Sequence, residues 1–488
     1  MADDPNEKVY ASDCECKQIA LYSIKDETKP YANLLGMAVT FQYHEDIFWP
    51  SYGATMTVVD NQENLISSMP IQGFEKVVVE FEDVVGETYS YTFRLWTVQN
   101  RITRERRNTY TLGLISEEGL RNEGVRINKI IKGNTSAQVK DLLSDYLKVP
   151  EGMIDVEKSA TSIKILPTKK TPFSLIRSFQ SKTISERTGK IGAAKNPPDK
   201  VEVRYGRRGG VSRTATKTDV SPEIAAKATG TAGYLFFQTR KGHVFRSIDS
   251  LVSSDDEFNG KPPVNLEDPF FMQGAKSGEE SRKRIQEIIF GNELNIMKKM
   301  REGAYSSLCC FFNINTGEYE EQVYSLKDMW KNMAHMGSQT KLGDGQEYLS
   351  QKPSRVMSTI VNHENHYMGS KVASNEDKHG GDGDNSYPDW QKQFLVQGVS
   401  RLGILFNQEM SISLTGHLEL CAGDKVEVRI PNQRPDDELR PVWDPEHSGT
   451  YLIKNLNHQF NIPGKSVYTV LQLIRDSYGI KDQESNVQ

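Results

Sequence analysis

Two stretches near opposite ends of the chain repeat one pattern of strands, and a duplication constrains a fold more than any composition does. Gly73-Phe-Glu-Lys76-Val-Val-Val-Glu-Phe81 matches Gly423-Asp-Lys425-Val-Glu-Val-Arg-Ile430. After a connection of variable length each copy carries a further strand, Phe93-Arg-Leu95 in one and Tyr451-Leu-Ile453 in the other, and then a hairpin tip. The return strands also agree, residues 109–115 against 467–474, with the second copy longer by one residue. Alternation of period two is common, so any two antiparallel meanders look somewhat alike. The repeated order of the matches reads instead as two related β-barrels. A three-fold assembly of a chain with two such barrels presents six quasi-equivalent barrels in a ring, because self-association usually closes by point symmetry. The duplication thus predicts an adaptor between three-fold and six-fold symmetry.

Hydrophobic periodicity organises the rest. Residues 16–116 read as β structure with little helix, including a hairpin around Val85-Gly86-Glu87 and a second with the tip Arg101-Ile-Thr-Arg104-Glu-Arg106-Arg107-Asn108. Residues 135–147 place apolar groups at i, i+3, i+4, i+7 and i+8 behind Asn134, which predicts an amphipathic helix, and Thr171-Pro172 starts another. Residues 182–230 carry 11 basic side chains against 5 acidic and a single aromatic, Tyr205, the composition of a long exposed loop. Residues 233–249 predict two short aromatic-rich strands around Lys241-Gly242. The spacing of Ile285, Ile288, Ile289, Ile296, Met297 and Met300 predicts a helix within residues 281–300, followed by a hairpin at 309–324 around Asn315-Thr-Gly317. Residues 337–389 are polar and aperiodic, a loop or insertion, and β character returns from Gln391 onward. The expected fold class is mainly β with α+β insertions: two related antiparallel β-barrel domains plus inserted lobes.

A chain of 488 residues has room for about three domains. Lys+Arg 60 against Asp+Glu 65 gives a net charge of −5, without the global basic charge of a dedicated nucleic-acid binder. No apolar run approaches the roughly 18 residues of a membrane-spanning helix, and the acidic start, Met1-Ala-Asp-Asp-Pro-Asn-Glu7, is unlike a secretory signal, so assembly in a cytoplasm is expected. Five cysteines, Cys14, Cys16, Cys309, Cys310 and Cys421, suit a reducing compartment better than a disulfide framework.

Chemical motifs are sparse. His363-Glu-Asn-His366 offers two imidazoles and a carboxylate, but not the i, i+4 spacing that sets both rings of a helical His-Glu-x-x-His site on one face. Asp382-Gly-Asp384-Asn385 lacks the glutamate a calcium loop needs at its twelfth position, where Gln393 stands, and lacks a glycine at the sixth, so it reads as a polar turn. Cys14-Glu-Cys16 and Cys309-Cys310 have no second pair at zinc spacing, and adjacent strand residues face opposite ways, so both read as buried or idle thiols. No phosphate loop, nucleophile elbow or dinucleotide fingerprint is present. No catalytic, cofactor-binding or metal-ligating residue is assigned, and no cofactor is expected. The tip arginines Arg101, Arg104, Arg106 and Arg107 suit phosphates, an acidic rim on the next ring of a tube, or plain solvation. The basic loop from Arg204 to Arg213 is similar, and one tyrosine gives it little stacking surface for nucleic acid.

Gly233-Tyr-Leu-Phe-Phe-Gln-Thr-Arg-Lys-Gly-His-Val-Phe-Arg-Ser-Ile-Asp-Ser-Leu251, Asn313-Ile-Asn-Thr-Gly-Glu-Tyr-Glu-Glu-Gln-Val-Tyr324 and Ser448-Gly-Thr-Tyr-Leu-Ile-Lys-Asn-Leu-Asn-His-Gln-Phe460 resemble, in order and spacing, the baseplate hub (tail hub) proteins of T-even-type contractile-tailed bacteriophages. The resemblance implies a homotrimeric cylinder whose two tail-tube-like barrels per subunit continue the six-fold tube, with the three-fold cell-puncturing spike below. It also implies a discontinuous second barrel. The domains expected are a flexible N-terminus 1–12, a first barrel 13–118, an α+β domain 119–230 containing the basic loop 182–230, a second barrel 231–252 with 391–480, an inserted helical and hairpin lobe 253–390 containing the polar loop 337–390, and a tail 481–488. The implied partners are two further copies of the chain, tail-tube ring proteins, the spike protein, the tape-measure protein and surrounding baseplate proteins. DNA would pass transiently through the lumen, with no stable membrane insertion. The implied location is the virion tail baseplate, after assembly in the host bacterial cytoplasm.

The expected function is a structural virion protein, not an enzyme: a trimeric central hub forming a channel for tape measure and DNA. The hub of a bacterial contractile injection system would need the same adaptor. A metal-dependent cell-wall hydrolase is the alternative of a different class, and it has no use for two related barrels at opposite ends of a chain.

Overall fold

The computed structural model describes residues 12–60, 65–68, 71–104, 107–186, 232–253, 262–267, 281–291, 295–313, 319–330, 333–338, 347–361, 367–368, 390–431, 443–444 and 446–479. The His363/His366 pair, the Asp382–Asn385 turn, Arg106, the basic loop from Arg204 to Arg213 and the turn at Asn315-Thr-Gly317 lie outside the described residues.

The N-terminal strands are β1 (Glu15–Ser23), β2 (Asp26–Asn33), β3 (Ala38–Asp46), β4 (Gly53–Asp60), β5 (Lys76–Glu82), β6 (Thr88–Arg104) and β7 (Arg107–Ile115). Alternation sets them: Val77, Val79 and Phe81 of β5 and Tyr89, Tyr91, Phe93 and Leu95 of β6 all point into the core. The β5–β6 turn is held by Asp83, whose Oδ1 accepts the backbone N–H groups of Val85 and Glu87, each at 2.9 Å. Gly86 supplies the positive φ of +89° that the turn requires.

Next come β8 (Ile131–Asn134), β9 (Ile154–Val156) and β10 (Ser162–Ile165), interleaved with helices. The helix Thr135–Asp141 forms as its spacing predicts, capped by Asn134, whose Oδ1 accepts the Ser136 N–H at 3.0 Å, and it continues as a wider turn over Leu142–Tyr146. The helix Pro172–Gln180 carries proline in its first turn and is capped by Thr171. The aromatic hairpin is β11 (Tyr234–Thr239) with β12 (Gly242–Ser247). β12 hydrogen-bonds in parallel to β9, so the hairpin belongs to a three-stranded sheet separate from that of the C-terminal strands. The hairpin reaches those strands by packing, since Leu235, Phe237, Ile248 and Val252 share a core with Leu405, Ala422, Leu452 and Ile474. Every residue of β11 is buried, because one face meets this core and the other meets Phe173 and the helices.

The remaining strands are β13 (Val264–Glu267), β14 (Ile285–Phe290), β15 (Ser306–Asn313), β16 (Tyr319–Ser325), β17 (Arg355–Val361), β18 (Tyr367–Met368), β19 (Gln408–Thr415), β20 (Lys425–Arg429), β21 (Gly449–Asn461) and β22 (Ser466–Arg475). The helix expected within 281–300 is corrected: residues 285–290 are strand, flanked by helical residues at 281–282 and by a helix over Ile296–Glu302. A bulge between Ile285 and Glu287 explains the misreading, because it turns Ile285 and Ile288 to the same side and imitates helical spacing. The β character expected from Gln391 is also corrected, since Trp390–Leu405 is a helix. Its Gly403 lies so close to Ala304 that a Cβ there would come within 2.8 Å of the alanine side chain. The 309–324 hairpin forms, as β15 against β16.

Eleven strands run in one continuous order, β14-β19-β22-β21-β3-β4-β7-β6-β5-β1-β2, with β20 joined to β21 and β13 joined to β20. The fold is mainly antiparallel β with helical insertions, and the cores of its two ends merge across β3 and β21.

Candidate functional site

The repeat seen in the sequence extends to five strands in the structure. The path β5-β6-β7-β4-β3 at one end is reproduced by β20-β21-β22-β19-β14 at the other, every step antiparallel. Two pairs of irregularities coincide, while β6 carries a further skip between Gln99 and Ile102 that β21 lacks. β6 skips a residue between Leu95 and Thr97 opposite β7, and β21 skips one between Ile453 and Asn455 opposite β22. β3 skips between Ala38 and Thr40 opposite β4, and β14 skips between Ile285 and Glu287 opposite β19. Bulges at matching positions of a register are not forced by alternation, so they mark the two modules as copies of one plan.

The modules are joined edge to edge. The second half of β21 lies antiparallel to β3, pairing Leu456 with Glu45, His458 with Tyr43 and Phe460 with Phe41. His458 stacks on Tyr43 at 6.0 Å between ring centroids, and Phe460 stacks on Phe81 at 3.8 Å. Glu45 adds a polar clamp at this joint: its Oε1 accepts from the Tyr43 hydroxyl and the Arg240 N–H, each at 2.6 Å, and its Oε2 accepts from the Ala422 N–H at 2.7 Å. Burial pushes the Glu45 carboxyl up to about 7 against the pull of these hydrogen bonds.

Besides the outer edges of β2 and β13, two edges within the repeated modules remain open among the described residues. Beyond Leu95, β6 pairs only with β7, and every side chain from Val98 to Arg104 is exposed, whereas Leu456, His458 and Phe460 of its counterpart β21 are buried under β3. β14 ends the sheet, pairs only with β19, and exposes Ile289 and Phe290, which hold the places of half-buried Gln42 and buried Tyr43 on β3. Arg101, Arg104 and Arg107 stand at the exposed end of β6 and its return. The sequence located these arginines but not the strand edge that carries them, because edge status depends on which strands pair far along the chain.

Among the described residues no group of three or more His, Cys, Asp or Glu could hold a metal ion. Cys14 and Cys16 are buried in the first module, with burial pushing the Cys16 thiol up to about 12. Cys309 is buried and Cys310 half-buried on β15, as adjacent strand residues facing opposite ways should be. A cavity of about 180 Å³ is lined by Met153, Lys241, His243, Cys421 and Asp424. Burial pushes the Cys421 thiol up and lowers His243 to about 3, a combination poorly suited to a thiolate nucleophile. Among the described residues no helix is long and apolar enough to cross a membrane.

No family model matches the chain, and no curated protein matches it. Similar solved structures include a tail protein from Neisseria meningitidis MC58, at 10% identity and a TM-score of 0.47, covering 94% of this chain and 96% of that one. The 43 kDa tail protein of prophage MuSo2 from Shewanella oneidensis is similar at 9% identity and a TM-score of 0.48, over 94% and 98% of the two chains. The E. coli c3393 protein, a component of the type VI secretion system with structural similarity to the T4 bacteriophage tail proteins gp27 and gp5, is similar at 8% identity and a TM-score of 0.39, over 91% and 76%.

Proposed function

We propose that this chain is a structural tail component, the trimeric central hub of a baseplate, which adapts the six-fold tail tube to a three-fold spike and leaves a channel for tape measure and DNA. The observation that carries the reading is the five-strand module built twice in one continuous sheet. Two equivalent modules per chain turn three-fold symmetry into six nearly equivalent positions, and a ring of that kind is what a tube of six-fold symmetry can stack on. The partners in this reading are two further copies of the chain, tube-ring proteins, the spike, the tape-measure protein and surrounding baseplate proteins. Its place is the virion tail, and its role is non-enzymatic. The open edges and the joint at β21 and β3 support assembly through strands and faces rather than turnover of a substrate.

The test is the solution mass by light scattering together with class averages from electron microscopy. Three chains of 55.2 kDa give about 166 kDa, with six-fold-like density around an open ring. A compact monomer that persists at high concentration with no ring would sink the reading.

A further inference from the structure

We propose that the exposed end of β6 pairs antiparallel with β14 of a second copy of this chain, and so repeats between chains the joint that β21 and β3 make within one. The proposal deepens the hub reading and rests on it. Its register follows from the strand pairings of the two modules, carried past the one bulge of β6, between Gln99 and Ile102, that β21 lacks.

Within the chain, β21 sets Gln459 opposite Gln42, Phe460 opposite Phe41 and Asn461 opposite Thr40. Ile115 and Ile474 are equivalent in the repeat, so Thr109 corresponds to Tyr468. Ile102 faces Thr109 as Gln459 faces Tyr468, and Arg104 faces Arg107 as Asn461 faces Ser466. Ile102, Thr103 and Arg104 therefore hold the places of Gln459, Phe460 and Asn461. On the other side, Thr55 and Ser411 are equivalent through their partners on β7 and β22. Ile289 then holds the place of Gln42, Ile288 that of Phe41 and Glu287 that of Thr40.

Transferring the joint sets Ile102 opposite Ile289, Thr103 opposite Ile288 and Arg104 opposite Glu287. The chemistry suits each pair. Ile102 is 52% exposed and Ile289 57%, two large apolar side chains that would cover each other. Arg104 and Glu287 are both exposed and carry opposite charges. An open strand edge is a liability unless something pairs with it, and among the described residues each module lacks the neighbour that the other module supplies within the chain. Because the two edges differ, the contact is head to tail, the kind that closes into a ring when the rotation allows. The occupant is a second copy because the only strand of this plan, with the matching bulge, that lacks a neighbour on its outer side among the described residues is β14 itself.

The test places single thiols in the full-length chain and bridges them with a short bismaleimide. Ile102→Cys with Ile289→Cys is expected to give products at multiples of the chain mass on denaturing gels, while either single variant and the parent chain with its native cysteines give none. Gln42→Cys with Gln459→Cys reports the same geometry inside the chain and should link at the monomer mass. Charge reversal gives a second readout: Arg104→Glu or Glu287→Arg alone is expected to weaken association by up to about fivefold per contact at low salt, and the two together to restore it. An assembled protein whose 102 and 289 thiols do not link between chains, while 42 and 459 do link within one, overturns this joint and leaves the hub reading standing. A 102–289 link confined to the monomer mass also overturns it. A chain that stays monomeric overturns both.

Discussion

Phe460, on the second module, stacks on Phe81, in the core of the first, with ring centroids 3.8 Å apart and planes 13° from parallel. The two rings sit 379 positions apart in sequence, yet both are buried in one hydrophobic core that runs through both modules. Removing the Phe460 ring should therefore cost about 3–5 kcal/mol, the range for a buried phenylalanine cut to alanine. Because the core is shared, Phe460→Ala should lower the unfolding temperature of both modules together. Calorimetry that showed the first module unchanged while the second melted early would contradict the shared core.

Glu45 sets a dependence on pH. Its folded pKa is raised to about 7 from an ordinary value of 4.5 by burial, so between those values the folded state holds the proton that the unfolded state releases. Stability from this group is therefore greatest below about pH 4.5 and declines as pH rises towards 7, by at most about 3 kcal/mol. Glu45→Gln should flatten that decline in thermal melts between pH 4.5 and 7. It should also cost about 1–3 kcal/mol at every pH, because an amide N–H₂ would face the donating Ala422 N–H. A slope unchanged by the substitution would show that other groups set it.

Arg401 is fully buried between two buried carboxylates, with Nη1 at 2.7 Å from Asp476 Oδ2 and Nη2 at 3.1 Å from Asp249 Oδ1. Burial acts to raise Asp476, but Arg401 and its other partners outweigh it and hold the carboxyl below the usual range. A carboxyl lowered in this way contributes stability above its unfolded value near 3.8 and loses it as pH falls. Arg401→Met should cost about 3–5 kcal/mol near neutral pH, since it strands two charges in the interior. The cost should shrink in urea titrations repeated near pH 4, where the stranded carboxylates take up protons.

The repeat makes a paired prediction at its glycines. Gly73 and Gly423 stand just ahead of equivalent strands with φ of +91° and +84°, although by register Gly423 matches Phe74, whose φ is also positive at +79°. A Cβ on Gly73 would meet nothing nearer than the Leu95 carbonyl oxygen at 3.9 Å, while one on Gly423 would come within 2.6 Å of Phe237 Cζ. Gly73→Ala should cost about 1 kcal/mol from the backbone alone, and Gly423→Ala clearly more. Equal losses in parallel denaturant titrations would show that Phe237 moves aside freely.

Much of this architecture is legible in the sequence where one face of a strand is buried. Val77, Val79 and Phe81 announce β5, and Val426 and Val428 announce β20, because alternation survives in both. The other half of the repeat is hidden by its own bulges. Ile285 and Ile288 both turn towards the core across an inserted residue, which gives the three-residue spacing of a helix. Trp390–Leu405 misleads in the opposite sense: Gly398 and Gly403 weaken its helical pattern, and Gly403 is needed for the approach to Ala304. The pairing of β12 with β9 leaves no mark in either strand alone, since nothing in a buried strand names its neighbour. The open edges of β6 and β14 were illegible for the same reason.

The joint between β3 and β21 also has a cost in time. The first module is complete once residue 115 has been made, but the strand that covers its β3 edge begins pairing at Asn455, 340 residues later. At ribosomal speeds of about 5–20 residues per second, that edge stands bare for roughly 20–70 s on every nascent chain. Polysomes, which hold many such half-built chains side by side, are therefore where premature edge-to-edge sticking is most dangerous for this protein, and codon usage or chaperones acting between residues 115 and 455 have the most to protect.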